Sequence, residues 1–303
     1  MKLIAISDIH TRATAPINRK DDYVEAQFRK LRQVIDYANE IGAPILSAGD
    51  LLDKPTIPYW LFNRLVKELR NLNREFYVIP GNHCLKGHTL DALNEGALQT
   101  LWETGAIELT TGAYSRLIGW DEEVNKGVRL CFLPFGLQTP SPPKDTDYNI
   151  LMLHEPVYEK TVPFFMKDGL TIKGLEKKYP GYDLYLAGDI HQSAVASKTI
   201  VTGSMMRMTI TQKEFKPRFY EIDTITGVVT PHYFEIEEDV WKDIIEVADD
   251  DTYKAELREL AETMLARDER LDYAATCRQL AADRPEYGQH IQTLINEYEE
   301  TKR

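Results

Sequence analysis

The sequence predicts an α/β fold: a parallel sheet made of strand–helix–strand units, a second sheet packed against it, and a small helical segment at the C-terminal end. Three observations carry that expectation. Residues 2–83 alternate short apolar runs with amphipathic helical stretches, residues 113–234 are crowded with strand-like segments, and strand signals cease after Glu235.

Taken in order, "KLIAIS" (2–7) is a short apolar run, and Asp22 to Glu40 places Val24, Phe28, Leu31, Ile35 and Ala38 at helical spacing. "APILSAGD" (43–50) reads as a second strand, Pro58 to Leu72 as a second helix and "EFYVIPGNH" (75–83) as a third strand. Units of these lengths pair in parallel through right-handed crossovers. From Ala113 the pattern changes to strands, among them "VRLCFLPF", "YNILMLHEP", "YDLYLAGDIH", "TIVTGS", "FYEID" and "VVTPHYFEI", which are expected to form the second sheet. The proline- and charge-rich "QTPSPPKDTD" (138–147) reads as a surface loop. Beyond Glu235, Val240–Ala248, Tyr253–Arg267, Leu271–Ala282 and Pro285–Glu300 read as helices. The expected division is therefore a body, 1–234, and an appendage, 235–303, that either binds a partner, mediates self-association or covers the sheet.

Charge follows the same boundary. The chain carries 48 acidic and 36 basic residues, a net −12. Residues 235–303 hold 20 acidic against 9 basic residues, a net −11, which leaves the body at −1. The body's charge does not exclude an anionic substrate, although nothing in it resembles a basic DNA-binding domain. No apolar run approaches the ~20 residues of a membrane span, and "MKLIAISDIH" turns acidic too soon for a signal peptide. Cys84, Cys131 and Cys277 are odd in number and scattered, giving neither a disulfide framework nor zinc-finger spacing. A reduced, cytoplasmic setting with no membrane partner is expected.

Five polar motifs follow strand-like runs: Asp8-x-His10, Gly49-Asp50-x-x-Asp53, Gly81-Asn82-His83, His154 and Gly188-Asp189-x-His191. Ligand sites of open α/β sheets lie beyond the carboxyl ends of strands, where all five fall. The glycines before Asp50, Asn82 and Asp189 suit exits in which the backbone turns sharply. Singly, each motif has a plain structural explanation: an Asx bend, a helix N-cap, a turn, or a hydrogen-bonded core histidine at 154. Together they take four of the seven histidines and point to one shared site.

The ordered set DxH … GDxxD … GNH … H … GxxH resembles the calcineurin-like metallophosphoesterase superfamily. Within it, Met1 to about Phe234 is most similar to the SbcD-type recombination nuclease subunits, phage-encoded relatives included, with "VTGSMMRMT" (201–209) matching a Gly-Ser followed closely by Arg. The resemblance implies a four-layer α/β/β/α sandwich and two divalent metal ions. Asp8, His10 and His191 would bind the first and Asn82, His154 and Asp189 the second, with Asp50 bridging both. It also implies phosphodiester hydrolysis by a hydroxide held between the metals. His83 would stabilise the transition state or protonate the leaving oxygen, and Asp53 would orient a ligand imidazole. Oxygen ligands mixed with imidazole suit Mn²⁺, with Mg²⁺ as the alternative. The implied substrate is DNA and the implied partner a coiled-coil ATPase of the SbcC type. A homodimer through the Pro58–Leu72 helix is a further implication, although a core-facing stripe explains its apolar residues equally well.

The sequence departs from the family pattern at two places. Asp189 stands where histidine is usual, adding negative charge and favouring harder metals. Cys84 stands where many relatives carry an acid that orients the neighbouring histidine; a thiol is a weak hydrogen-bond partner, and a small buried side chain is the simpler reading. Arg12, Arg19, Lys20, Lys86 and His88 follow the first and third motifs, either bordering the cleft as phosphate contacts or standing as solvated loop residues. Two other functions compete with the nuclease: a stand-alone small-molecule phosphodiesterase or phosphatase, and a scaffold with a degenerate site. The complete ligand set argues against the scaffold, since it would leave buried acids without compensating charge.

Overall fold

The computed structural model describes residues 1–16, 18–122, 125–145, 147–163, 166, 168–238 and 240–242. The chain divides into two compact units, Met1–Lys160 with Leu170–Lys242, and Thr161–Gly169 with Asp243–Arg303. The four C-terminal helices expected from the sequence lie outside the described residues except for Val240–Lys242, which are not helical; Trp241 forms an isolated β-bridge with Arg19.

The first unit begins with β1 (Lys2–Ile6), α1 (Tyr23–Ile41), β2 (Ile45–Ser47), α2 (Tyr59–Leu69), β3 (Phe76–Val78), α3 (Ala97–Glu103) and β4 (Glu108–Leu109). β5 (Ser115–Asp121), β6 (Lys126–Leu133), β7 (Asp147–His154), β8 (Val157–Tyr158), β9 (Leu170–Thr171) and α4 (Ile172–Lys178) follow. The last strands are β10 (Leu184–Gly188), β11 (Ala194–Ala196), β12 (Thr199–Val201), β13 (Arg218–Asp223) and β14 (Val229–Tyr233). The capping of α1 follows from its sequence. The Asp22 carboxylate accepts from the Glu25 N–H at 3.1 Å, an N-cap worth about 1 kcal/mol, and Gly42 closes the helix in the left-handed conformation.

Two six-stranded sheets result, ordered β14-β13-β1-β2-β3-β4 and β11-β12-β10-β7-β6-β5. Strand alternation builds the layers. Leu3 and Ala5 of β1 face inward to Leu130, Phe132, Ile150 and Met152 of the second sheet, whereas Ile4 and Ile6 face outward to Phe28, Leu31 and Ile35 of α1. On the far side, Leu151, Leu153 and Ala187 pack against Ile172 and Leu175 of α4. The order is thus helix, sheet, sheet, helix, the four-layer α/β/β/α sandwich expected from the resemblance.

One expectation needs correction. "FYEID" and "VVTPHYFEI" do not join the second sheet; β13 runs antiparallel to β1, with Lys2 opposite Asp223, and β14 pairs with β13. Phe219 faces the helical layer while Tyr220 and Ile222 face between the sheets. A strand apolar on both faces carries no local signal of which sheet it joins. Among the described residues no helix is long and apolar enough to cross a membrane.

Candidate metal centre

β1, β2 and β3 are parallel neighbours in one sheet, and β7 and β10 are parallel neighbours in the other. Their five carboxyl ends deliver the five motifs to one place. Asp8 and His10 follow β1, Asp50 follows β2 and Asn82-His83 follows β3. His154 ends β7, and Asp189 directly follows β10. The two Asp-Ile-His segments touch: the Asp189 N–H donates to the Asp8 carboxylate at 3.1 and 3.2 Å.

The backbone at these exits is strained. Among the described residues, Asp8, His10, Asp50 and Asp189 account for four of the seven non-glycine residues with positive φ, at 49°, 47°, 47° and 92°. Such conformations cost about 1–3 kcal/mol each and persist where their surroundings hold them. The preceding glycines serve a purpose broader than turning. Gly49 does have a left-handed φ of 110°, but Gly81 is extended at φ −101°, ψ 173°. Gly81 is needed for clearance: a Cβ there would lie 2.2 Å from Asp50 Oδ1. A Cβ on Gly188 would lie 2.3 Å from both the Ala48 carbonyl and Ser7 Oγ, and one on Gly49 would lie 2.1 Å from His154 Nδ1.

Donor atoms converge in three overlapping groups, Asp8–His10–His191, His10–Asp50–His83 and Asp8–Asp50–His154, each within 4.8 Å. His10 Nε2 lies 3.1 Å from His191 Nε2, 3.9 Å from Asp8 Oδ1 and 3.8 Å from Asp50 Oδ2. His154 Nε2 lies 3.1 Å from Asn82 Oδ1, 3.4 Å from Asp50 Oδ2 and 3.7 Å from Asp189 Oδ1. His154 Nδ1 stands 2.7 Å from the Ala48 carbonyl, which can only accept, so Nδ1 carries the proton and Nε2 is directed at the oxygens. Carboxylate oxygens, an amide oxygen and imidazole nitrogens facing one another, buried or half-buried, form a donor set that fits divalent cations. Asp8, His10 and Asp50 each occur in two of the three groups.

The electrostatics follow from burial and from these neighbours. Burial lowers His10 well below the usual imidazole range, and the surrounding histidines reinforce this. Burial acts in the same direction on His154, but the carboxylates of Asp50, Asp189 and Asp8 outweigh it and push that imidazole up to about 10. Burial raises Asp8. It also acts to raise Asp50, but the imidazoles of His154, His83 and His10 prevail and hold Asp50 below the carboxylate range.

The remaining expected residues separate into those at the centre and those engaged elsewhere. The His83 N–H donates to Asp50 Oδ1 at 3.0 Å and His83 Nδ1 donates to the Asp53 carbonyl at 3.2 Å. Asp53 Oδ1 lies 3.7 Å from His10 Nδ1. Arg12 approaches Asp53 at 3.8 Å, and Lys86 pairs with Glu95 on the surface at 2.5 Å. His88 Nδ1 donates to the Asn82 carbonyl at 3.0 Å, supporting the turn that carries a candidate ligand. Arg19 is buried, paired with Asp21 at 2.6 Å and hydrogen-bonded to the Arg207 carbonyl at 2.7 Å, so it is a structural cation rather than a cleft residue. Cys84 is buried, its sulfur accepting from the Leu52 N–H at 3.5 Å, which supports the small-core-residue reading. Sequence reasoning missed Ser7, whose hydroxyl donates to Asp8 Oδ2 at 2.6 Å. Its only signal is a hydroxyl immediately before the first motif.

A family profile described as "Calcineurin-like phosphoesterase" matches residues 1–193. Among solved structures, one described as a novel archaeal phosphodiesterase is similar at 14% identity and a TM-score of 0.41, over 77% of this chain and 100% of its own. No curated protein matches.

Proposed function

The chain belongs to the calcineurin-like phosphoesterase family, and from that premise we propose that it is a Mn²⁺-dependent phosphodiesterase acting on DNA, the nuclease subunit of an SbcC–SbcD-like recombination and repair complex. The observation that carries the reading is the convergence of donor atoms from five strand ends in two sheets on one buried point. Asp8, His10 and His191 would hold one cation, Asn82, His154 and Asp189 the other, and Asp50 both. Two divalent cations supply Lewis acidity toward phosphoryl oxygens and lower the pKa of bound water. His83 keeps its Nδ1 proton on the Asp53 carbonyl, which leaves Nε2 to carry the proton a leaving oxygen requires.

Arg12, Arg19, Lys86 and His88, which follow the first and third motifs, are each engaged by a protein group. The same engagement of cations supports a second reading, a stand-alone phosphodiesterase for a small substrate. On the nuclease reading, an SbcC-type partner would bring the cations that track the DNA backbone.

The test is Mn²⁺-dependent cleavage of labelled single- and double-stranded DNA, beside a small diester and a small monoester, with Asp50→Ala and His83→Ala variants. Cleavage of DNA that both substitutions abolish establishes the nuclease. Hydrolysis of the small diester alone, unchanged when an SbcC-type ATPase is added, favours the second reading. Monoester preference overturns both.

A further inference from the structure

We propose that Gln27 is a positioning residue for His10, acting through Arg12 and Asp53; the inference rests on the metal-centre reading above. Gln27 lies in the first turns of α1, 2% exposed, beside the buried Ala26, Phe28 and Leu31. A buried amide must find partners, and this one finds both on a single residue. Gln27 Oε1 accepts from the Arg12 N–H at 3.1 Å and Nε2 donates to the Arg12 carbonyl at 2.7 Å.

That residue is two positions beyond His10, whose left-handed backbone needs support. On one side the segment is held by the loop after β2: the His10 N–H donates to the Asp50 carbonyl at 2.9 Å and the Thr11 N–H to the Leu51 carbonyl at 2.9 Å, while the Asp53 N–H donates to the Thr11 carbonyl at 3.2 Å. Gln27 holds it from α1. From the backbone clamped in this way the Arg12 side chain reaches to 3.8 Å from Asp53 Oδ1, the same oxygen that stands 3.7 Å from His10 Nδ1. His10 Nδ1 is buried and makes no hydrogen bond among the described residues; the acid that faces it is Asp53, not a backbone carbonyl. His154, by contrast, donates straight to the Ala48 carbonyl. The chain of action runs from Gln27 to Arg12, from Arg12 to Asp53 and from Asp53 to the imidazole. Groups that orient a ligand histidine are typically worth about 10–100-fold in metal affinity.

Asn149 provides a matched control. Its side chain clamps one residue in the same manner, Oδ1 accepting from the Lys144 N–H at 2.9 Å and Nδ2 donating to the Lys144 carbonyl at 2.8 Å. It lies near the start of β7, at the end of the sheet opposite the ligands.

The experiment is Mn²⁺ titration calorimetry on the full chain, together with urea unfolding of the metal-free protein, for wild type, Gln27→Met, Gln27→Glu and Asn149→Leu. Gln27→Met should weaken one of two Mn²⁺ sites by about 10–100-fold. Gln27→Glu, which keeps the acceptor for the Arg12 N–H but loses the donor, should fall between it and wild type. Asn149→Leu should lose stability yet keep wild-type affinity. Wild-type affinity in Gln27→Met, or an equal loss of affinity in Asn149→Leu, would overturn the assignment. If Gln27→Met does not fold, Gln27→Glu decides by the same criterion. Absence of Mn²⁺ binding by the wild type sinks the metal-centre reading and this inference together; binding unaffected at position 27 sinks only the inference.

Discussion

Replacing Gly81 with alanine tests how closely the neighbouring strands β2 and β3 bring their motifs together. The backbone there is extended, so alanine adds no conformational strain and the effect is purely steric. The added Cβ would sit 2.2 Å from Asp50 Oδ1, 2.6 Å from Asp50 Cγ and 2.6 Å from the Asp50 backbone nitrogen. Restoring an ordinary contact of 3.4 Å to the carboxylate requires a separation 1.2 Å greater than 2.2 Å. The carboxylate cannot rotate away cheaply, because Oδ1 also accepts from the His83 N–H at 3.0 Å. A displacement of about 1 Å at a reacting centre costs on the order of 10²-fold in rate, and overpacking of this kind costs about 1–3 kcal/mol in stability. The control is Gly112→Ala, whose Cβ would meet only Tyr114 Cδ1 at 3.4 Å and Cε1 at 3.7 Å. Initial rates of Mn²⁺-dependent hydrolysis of bis(4-nitrophenyl) phosphate, with urea unfolding of each protein, read both quantities. A Gly81→Ala enzyme within about threefold of wild type, far short of that 10²-fold, would refute the role given to Asp50, as would an equal loss in Gly112→Ala.

Other predictions follow from single environments. Cys84 and Cys131 are buried, and burial pushes Cys131 up to about 11 and Cys84 higher still. The native protein should therefore release at most one equivalent of thiol chromophore from a disulfide reagent, against three in urea; rapid titration of two or more native thiols would contradict the packing. Burial acts to raise the Glu237 carboxyl, but the Lys30 ammonium at 3.2 Å and the Arg29 guanidinium at 2.5 Å prevail and hold it below the carboxylate range. Its stabilising contribution is thus present above the unfolded carboxylate value and lost as pH falls through the lower folded value. Glu237→Gln should accordingly be less stable than wild type at pH 6 but converge with it in acid; a gap unchanged at low pH would argue against the ion pairs. Asp189→His, which exchanges a carboxylate beside His154 for an imidazole, should shift metal preference from Mn²⁺ toward Zn²⁺. An unchanged affinity ratio in competition titrations would show that Asp189 does not contribute a ligand.

The convergence of the candidate site was largely legible from one dimension because its donor groups are residue types at fixed offsets from strand ends. Asp8, Asp50, Asn82, His154 and Asp189 could be singled out by their places after apolar runs, and parallel strands send those ends to the same side of a sheet. What had no local signature was the identity of each partner. The sheet joined by β13 depends on residues more than two hundred positions away, since Lys2 pairs with Asp223. Whether a loop cation is available for a phosphate depends on which acid reaches it first, and only the fold places Asp53 by Arg12, Glu95 by Lys86 and Asp21 by Arg19. Gly81 reads as a turn until the neighbouring strand brings Asp50 within 2.2 Å of its missing Cβ. Composition and spacing determine which groups can do chemistry; close packing between distant segments decides which of them are free, held or excluded, because contacts of a few ångströms are set by the tertiary structure and not by neighbours along the chain.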